Sequence, residues 1–152
     1  MTLLESFTVK TGKADEWINI TQEVARIVAA SGVEEGVCLV FIPHTTAAVT
    51  VNENADPDVP RDVCLALRAI SPDRADFQHW EGNSNAHTKT SLVGPSVSLI
   101  VTQGALLLGT WQGIWLNEYD GPRTRGVQVR VLGEKGEKGE KGGTEGQGAQ
   151  KK

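Results

Sequence analysis

The stretch VCLVFIPHTTAAVTV, residues 37–51, decides the fold. It begins with an unbroken apolar run that Pro43 stops, which is typical of a strand covered on both faces. Thr46 to Val51 follow as a second run rich in β-branched residues, and these favour another strand. The centre of the predicted sheet is therefore two strands joined by a bend, and His44 lies at the bend.

Further strands are predicted on both sides of this centre, with two helices between them. One strand opens the chain, a hairpin follows the second helix, and alternating valines form a last, half-exposed strand. Asp15 and Asp56 stand where they could cap the two helices. The predicted elements are a strand over residues 3–10, helices over 17–30 and 57–70, a hairpin of 97–101 and 105–118, and a strand around 127–131.

This order predicts an α+β fold, a compact single domain with a mixed or antiparallel sheet and two main helices. We expect the domain to span residues 1–132. Residues 133–152, GEKGEKGEKGGTEGQGAQKK, contain no apolar side chain larger than that of Ala. Nothing there offsets the entropy lost on ordering, so the segment is predicted to be a disordered tail.

Composition excludes several classes of protein. The formal net charge of −4 argues against a nucleic-acid-binding or basic membrane-surface protein. No apolar run approaches the roughly 20 residues of a membrane span, and no signal-peptide pattern opens the sequence, so we expect a cytoplasmic chain. Cys38 and Cys64 stand alone in apolar segments, which favours two buried thiols over a disulfide or a cysteine-based zinc site.

The sequence has three histidines, and none of them stands at a core-facing position of a predicted helix or strand. His44 follows Pro43, whereas His79 and His87 lie in residues 71–96, a stretch without usable periodicity. Connections longer than about 12–15 residues are usually functional or disordered. We therefore expect the three histidines to converge on one cleft.

Two kinds of chemistry suit such a cleft. Three neutral imidazoles can hold zinc or a similar divalent ion with a position open for water or substrate. Histidines can also act without metal, as acids, bases or hydrogen-bond donors to phosphate, because imidazole titrates near neutral pH. The residue spacing leaves both interpretations open.

Other polar residues near these segments complete the set of candidates. Glu53 ends the second strand and is either catalytic or a solvated side chain. Donors that could hold a phosphate group are found in the long segment and beside the Gly121-Pro122 turn. They are Asn83, Ser84, Lys89, Arg123 and Arg125.

Three long motifs in order resemble the YjbQ-like family, also called the secondary thiamine-phosphate synthase family. They are PHTTAAVTVNENADPDV from Pro43, HWEGNSNAHTKTSLVGPSV from His79 and GALLLGTWQGIWLNEYDGPRTRGV from Gly104. The resemblance covers nearly all of residues 1–132.

The resemblance implies a transferase of weak activity that joins an aminopyrimidine methyl diphosphate to a thiazole phosphate with release of diphosphate. It implies a homotrimer and a polar pocket that holds a divalent metal ion, zinc or magnesium. The pocket residues carried over are His44, Glu53, His79, Asn83, Ser84 and His87. The alternatives are a metal-dependent hydrolase of a phosphorylated small molecule and a non-catalytic trimer that binds a metabolite or metal.

Overall fold

The computed structural model describes residues 1–137. Eight strands and three helices form one α+β domain, as predicted. The strands are β1 (Thr2–Lys10), β2 (Glu16–Asn19), β3 (Val33–Phe41), β4 (Ala47–Glu53), β5 (Ser96–Thr102), β6 (Ala105–Leu106), β7 (Gln112–Glu118) and β8 (Thr124–Lys135). The helices are α1 (Thr21–Ser31), α2 (Asp58–Ile70) and α3 (Ser84–Val93).

The strands form two antiparallel sheets rather than one. The larger sheet has the order β1-β8-β3-β5-β6, and the smaller has the order β2-β7-β4. The core comprises one side of each sheet and the apolar face of α1, including Val24, Val40, Leu116 and Val129. The bend after β3 therefore carries the chain from the larger sheet to the smaller one.

Strand β3 is confirmed, but only one of its faces is covered by the described chain. Cys38 and Val40 point into the core and are fully buried, whereas Val37 is 43% exposed and Phe41 is 41% exposed. The unbroken apolar run predicts cover on both faces. The second face of the larger sheet thus lacks a covering layer within residues 1–137.

The predicted alternation of the last strand is confirmed. Val127, Val129 and Val131 are buried, but the strand lies between β1 and β3 inside the sheet. It continues to Lys135, so the first residues of the predicted tail pair with β3. The rest of that predicted tail, from residue 138, lies outside the described residues.

The first helix begins later than its sequence pattern predicts. Glu16–Asn19 forms strand β2, which pairs with β7, and Trp17 lies in this strand. The side chain of Asn19 accepts hydrogen bonds from the backbone N–H (3.0 Å) and the hydroxyl (2.6 Å) of Thr21. Pairing with β7 and this turn therefore place the helix start at Thr21, and Asp15 is not its cap.

The predicted hairpin after α3 is wrong in its second arm. Strand β5 pairs with only two residues of that arm, Ala105–Leu106, across the Gln103-Gly104 turn. The chain then leaves the larger sheet, and Gln112–Glu118 becomes the central strand of the smaller sheet. Apolar residues continue beyond β6 into the segment that connects the two sheets. The sequence pattern therefore predicted one long strand where the structure has two short ones.

Helix α3 lies in the stretch for which no element is predicted. Its buried residues are Ala86, Lys89 and Thr90, so its inner face is small and polar. A helix of this kind has no apolar period to detect. As a result His87 lies on a helix and not in a loop.

No helix within residues 1–137 is long and apolar enough to cross a bilayer.

Candidate functional site

Three separate segments of chain meet around a polar cleft of about 380 Å³. They are the bend between β3 and β4, the segment that leads into α3 together with α3 itself, and the connection between β7 and β8 with the start of β8. The residues that line the cleft are Pro43, His44, Thr45, Thr46, His79, Glu81, Asn83, His87, Arg123 and Arg125. The structure thus brings all three histidines to the same place.

His44 is held in one orientation by the backbone of β8. Its Nε2 atom accepts a hydrogen bond of 2.8 Å from the N–H of Gly126. Burial lowers the pKa of His44 below its usual 6.5, and the positive charge of Arg125 lowers it further, while Glu118 opposes both effects. In the neutral ring that accepts this bond, Nδ1 carries the proton, and His44 is left as a hydrogen-bond donor.

The lowered pKa of His44 predicts a pH dependence of stability. The folded chain favours neutral His44, so the unfolded chain takes up the proton first as pH falls through 6.5. We expect the melting temperature to decrease from that pH down to the lower folded-state pKa, and the His44→Asn variant to lose part of this slope. Thermal melts across the mildly acidic range measure it, and the same slope in both proteins would contradict the prediction.

His79 and His87 form a close pair in the same cleft. Their ring centroids are 5.2 Å apart and the rings meet edge to face. Trp80 beside them is 87% exposed, with its ring centroid 6.2 Å from that of His79. The pair leaves imidazole nitrogens available to a molecule in the cleft.

Asn83 and Arg123 are joined through one acidic residue. The side-chain Nδ2 of Asn83 donates to Oδ2 of Asp120 at 2.8 Å, and Nη2 of Arg123 donates to the same oxygen at 3.0 Å. The Oδ1 atom of Asn83 is buried and has no hydrogen-bond partner within residues 1–137. Asp120 therefore positions one amide and one guanidinium at the cleft.

Arg125 lies at the base of the cleft in a buried ion pair with Glu118. Only 4% of the Arg125 side chain and none of the Glu118 side chain is exposed. The guanidinium donates through Nε to Glu118 Oε2 at 2.7 Å and through Nη2 to Glu118 Oε1 and to the Thr46 hydroxyl, the latter at 2.8 Å. None of the described hydrogen bonds uses Nη1, so one edge of the guanidinium remains available to the cleft.

Sequence reasoning missed Asp120 and, at the base of this site, Glu118. Thr11 and the backbone N–H of Asp120 also donate to its carboxylate, at 2.9 Å each. Burial raises the pKa of Glu118, but the hydrogen bonds from Arg125, Asp120 and Thr11 outweigh burial and hold the pKa below its usual 4.5. Glu118 ends the largely apolar segment GIWLNE, residues 113–118, and two arginines follow within the next seven residues. This pattern is the sequence signal that could have indicated a buried carboxylate.

Three candidate residues lie away from the cleft lining. Ser84 is the first residue of α3, next to Asn83. Lys89 is buried on the inner face of α3, where its ammonium approaches Asp15. Glu53 is the last residue of β4, about 20 Å along the strand from the end beside the cleft.

The three histidines fit a metal ion only in part. His44 uses Nε2 to accept the Gly126 bond, so that lone pair is not free to bind a cation. Within the described chain no three His, Cys, Asp or Glu side chains are placed to hold a metal ion. His79 and His87 are the pair whose spacing suits shared ligation, and the metal site stays a prediction.

Comparisons with known proteins agree with this fold. The UPF0047 protein YjbQ-like family matches residues 5–134. The chain is 46% identical to the UPF0047 protein YugU of Bacillus subtilis, a match that covers 86% of this chain and 100% of that protein. It is 44% identical to a UPF0047 protein of Methanocaldococcus jannaschii, over 88% of this chain and 96% of that one.

Solved structures of YjbQ-like proteins have the same fold as this chain. A YjbQ/UPF0047 family protein of Clostridium acetobutylicum superimposes with a TM-score of 0.82 at 49% identity, covering 84% of this chain and 99% of that one. A protein of Sulfolobus solfataricus described as YbjQ-like gives a TM-score of 0.85 at 33% identity, with coverage of 88% and 99%. From the sequence motifs, the fold and these matches, the chain belongs to the UPF0047 YjbQ-like family.

Proposed function

We propose that the histidine cleft binds the phosphate or diphosphate group of a small molecule, and that the chain catalyses the synthase reaction that its family resemblance implies. The observation that carries the proposal is the convergence of two arginines and three histidines on one cleft of about 380 Å³. Pockets for small ligands commonly have volumes of about 300–1,000 Å³. The cleft is therefore large enough for a phosphorylated heterocycle.

The unused hydrogen-bond donors of the cleft suit an anion, although Glu81 also lines it. Arg125 is neutralised by Glu118 and Arg123 by Asp120, yet both guanidiniums keep donors that these carboxylates do not use. His44 is a fixed donor, since its Nε2 atom accepts from Gly126. Positioned donors of this kind bind phosphate oxygens without first having to reorganise.

The same groups match the demands of the reaction. The bond between the pyrimidine methylene carbon and the diphosphate oxygen breaks, and its electron pair leaves with the diphosphate. The thiazole nitrogen forms the new bond to that carbon. Arg123, Arg125 and His44 would stabilise the negative charge that grows on the leaving diphosphate, and the walls of the cleft would align the nitrogen.

An assay of diphosphate release tests the proposal directly. We expect release when the aminopyrimidine methyl diphosphate and the thiazole phosphate are both present, and no release from either alone. The Arg123→Gln variant should lower kcat/KM about tenfold or more, because one charged hydrogen bond to the leaving group is lost. Arg123 is exposed at the cleft rim, so its replacement should leave the fold intact.

The matched control is Arg26→Gln, which removes the same charge from an exposed position on α1. This variant should keep the wild-type rate. Equal losses in the two variants would mean that net charge, and not the cleft, is responsible. No diphosphate release by the wild-type protein under any of these conditions would contradict the synthase proposal.

The second candidate is a metal-dependent hydrolase of a phosphorylated small molecule. The observation that favours it is the 5.2 Å separation of the His79 and His87 rings, with Glu81 in the same cleft. A divalent ion, zinc or magnesium, held by these histidines would supply Lewis-acid chemistry. Phosphate release from one substrate alone, lost on metal removal and restored by adding the ion, would favour the hydrolase, whereas saturable binding without turnover would favour a binding protein.

We also propose that the chain associates with copies of itself through the open face of the larger sheet. Ile100, Val37 and Leu132 are neighbours across β5, β3 and β8, and they are 58%, 43% and 47% exposed. Leu4 and Phe41 extend the same surface, here called the outer sheet face. An apolar face of this kind is typical of an interface, and the family resemblance implies three copies.

A further inference from the structure

A second polar pocket, of about 410 Å³, lies between the start of β2 and helix α2. It shares no lining residue with the histidine cleft, and none of the sequence motifs points to it as a site. Its lining residues are Lys13, Asp15, Glu16, Trp17, Pro60, Arg61, Cys64, Leu65 and Arg68. We call it the Asp15 pocket.

A buried carboxylate in the wall of this pocket is paired with one exposed and one buried cation. The Asp15 side chain is only 10% exposed, and its Oδ2 atom accepts a 2.5 Å hydrogen bond from Nε of Arg68. The ammonium of Lys89 lies 3.6 Å from the same oxygen, and the Lys89 side chain is 3% exposed. One carboxylate therefore faces two cations at the inner side of the pocket.

Lys89 is not fully satisfied by this arrangement. The 3.6 Å distance to Asp15 is longer than a hydrogen bond, and its other close neighbour is the face of the Tyr119 ring, 5.7 Å from the ammonium. One carboxylate shared between two cations leaves positive charge uncompensated on this side of the pocket.

The side chains that line the pocket carry one net positive charge, because Lys13, Arg61 and Arg68 outnumber Asp15 and Glu16 by three to two. Glu16 is occupied, because its carboxylate accepts the backbone N–H groups of Gly12 at 2.7 Å and Lys13 at 3.2 Å. Within residues 1–137, Arg68 donates to Asp15 only through Nε, and its terminal nitrogens make no hydrogen bond there. The Lys13 side chain makes no ion pair within the described chain. These groups together provide donors for a second negatively charged oxygen group.

We propose that the Asp15 pocket binds a small organic anion whose charged group is a phosphate or a carboxylate. Arg68 and Lys13 contact the charged oxygens, and Lys89 contributes long-range attraction from behind Asp15. Trp17, Pro60 and Leu65 supply apolar surface for the organic part of the ligand. This proposal does not depend on the function of the histidine cleft.

The indole N–H of Trp17 provides a local reporter in two-dimensional NMR spectra of the full chain. Titration with inorganic phosphate, and separately with malonate, should shift this signal along a saturable curve. Saturation by either anion supports the proposal, and the tighter of the two identifies the charged group. No saturable shift with either anion would overturn it.

Four variants separate this pocket from the histidine cleft and from general charge effects. Arg68→Gln and Lys13→Gln should each weaken the response of Trp17 about tenfold, because each removes one charged contact. Arg26→Gln and Arg123→Gln remove the same charge elsewhere and should leave the response unchanged. Equal weakening in Arg26→Gln would show screening by net charge and would also overturn the proposal.

Cys64 gives a second measurement in the unaltered protein. It is half-buried in the pocket wall, whereas Cys38 is fully buried and should not react in the folded chain. Saturating anion should slow alkylation of Cys64 by N-ethylmaleimide, and mass spectrometry of the digested peptides measures the rate. An alkylation rate that does not change with anion concentration would contradict occupancy of this pocket.

Discussion

Replacing Glu118 with Gln is expected to lower the free energy of unfolding by about 3–5 kcal/mol, because it leaves the Arg125 guanidinium buried without its counter-ion. The side chain of Glu118 is fully buried and that of Arg125 is 4% exposed, so water cannot replace the lost partner. Thr11 and the backbone N–H of Asp120 also lose an ionised acceptor. Urea unfolding followed by circular dichroism measures the change.

The double variant Glu118→Met with Arg125→Met tests the cause of this loss. Removing both charges leaves none unpaired, so we expect the double variant to be less destabilised than the two single variants added together. The surface pair Arg74–Asp76 is the control, and Arg74→Gln should leave the unfolding midpoint nearly unchanged because both side chains are exposed. Additive losses in the Met series would contradict a coupled pair.

Acid titration gives a further check on the same residue. The pKa of Glu118 is held below 4.5, so the stability that the ion pair contributes is present above that pH and is lost as pH falls through the folded-state value. The Glu118→Gln variant has no carboxyl group to protonate there. Its unfolding free energy should therefore depend less on pH in that range than that of the wild-type protein.

The sequence was a good guide where one physical signal dominated. The apolar run before Pro43 predicted β3, and alternating valines predicted β8, since burial of one strand face leaves a period of two. The position of His44 at a bend followed from the proline alone. Its meeting with His79 and His87 required knowing how three distant segments pack, and the resemblance to a family indicated this more directly than any spacing.

The sequence was a poor guide where buried groups are polar. Helix α3 buries Ala86, Lys89 and Thr90, so it shows no apolar period. Lys89 looked like a surface donor for phosphate, but the helix turns it inward towards Asp15. Glu118 was overlooked for the same reason, because a carboxylate on a strand looks solvated until its buried arginine is known.

Under the self-association proposed above, replacing Val37 with Glu is expected to leave the protein as a monomer. Val37 lies at the centre of the outer sheet face, between Ile100 and Leu132 on the neighbouring strands. Association would bury the new carboxylate against apolar side chains, which costs several kcal/mol when no partner is present. We therefore expect the dissociation constant between copies to rise at least about a hundredfold.

The outcome depends on Val37 being open in the single chain, where 43% of it is exposed, so that the monomer can keep the new charge in water and remain folded. Ile70→Glu is the matched control, because Ile70 is also exposed, at 66%, but lies at the end of α2 and not on the larger sheet. Light scattering and sedimentation should show the wild-type mass for Ile70→Glu and a single-chain mass for Val37→Glu. An unchanged mass for Val37→Glu would place the interface elsewhere, and dissociation by both variants would show that the effect is not specific to this face.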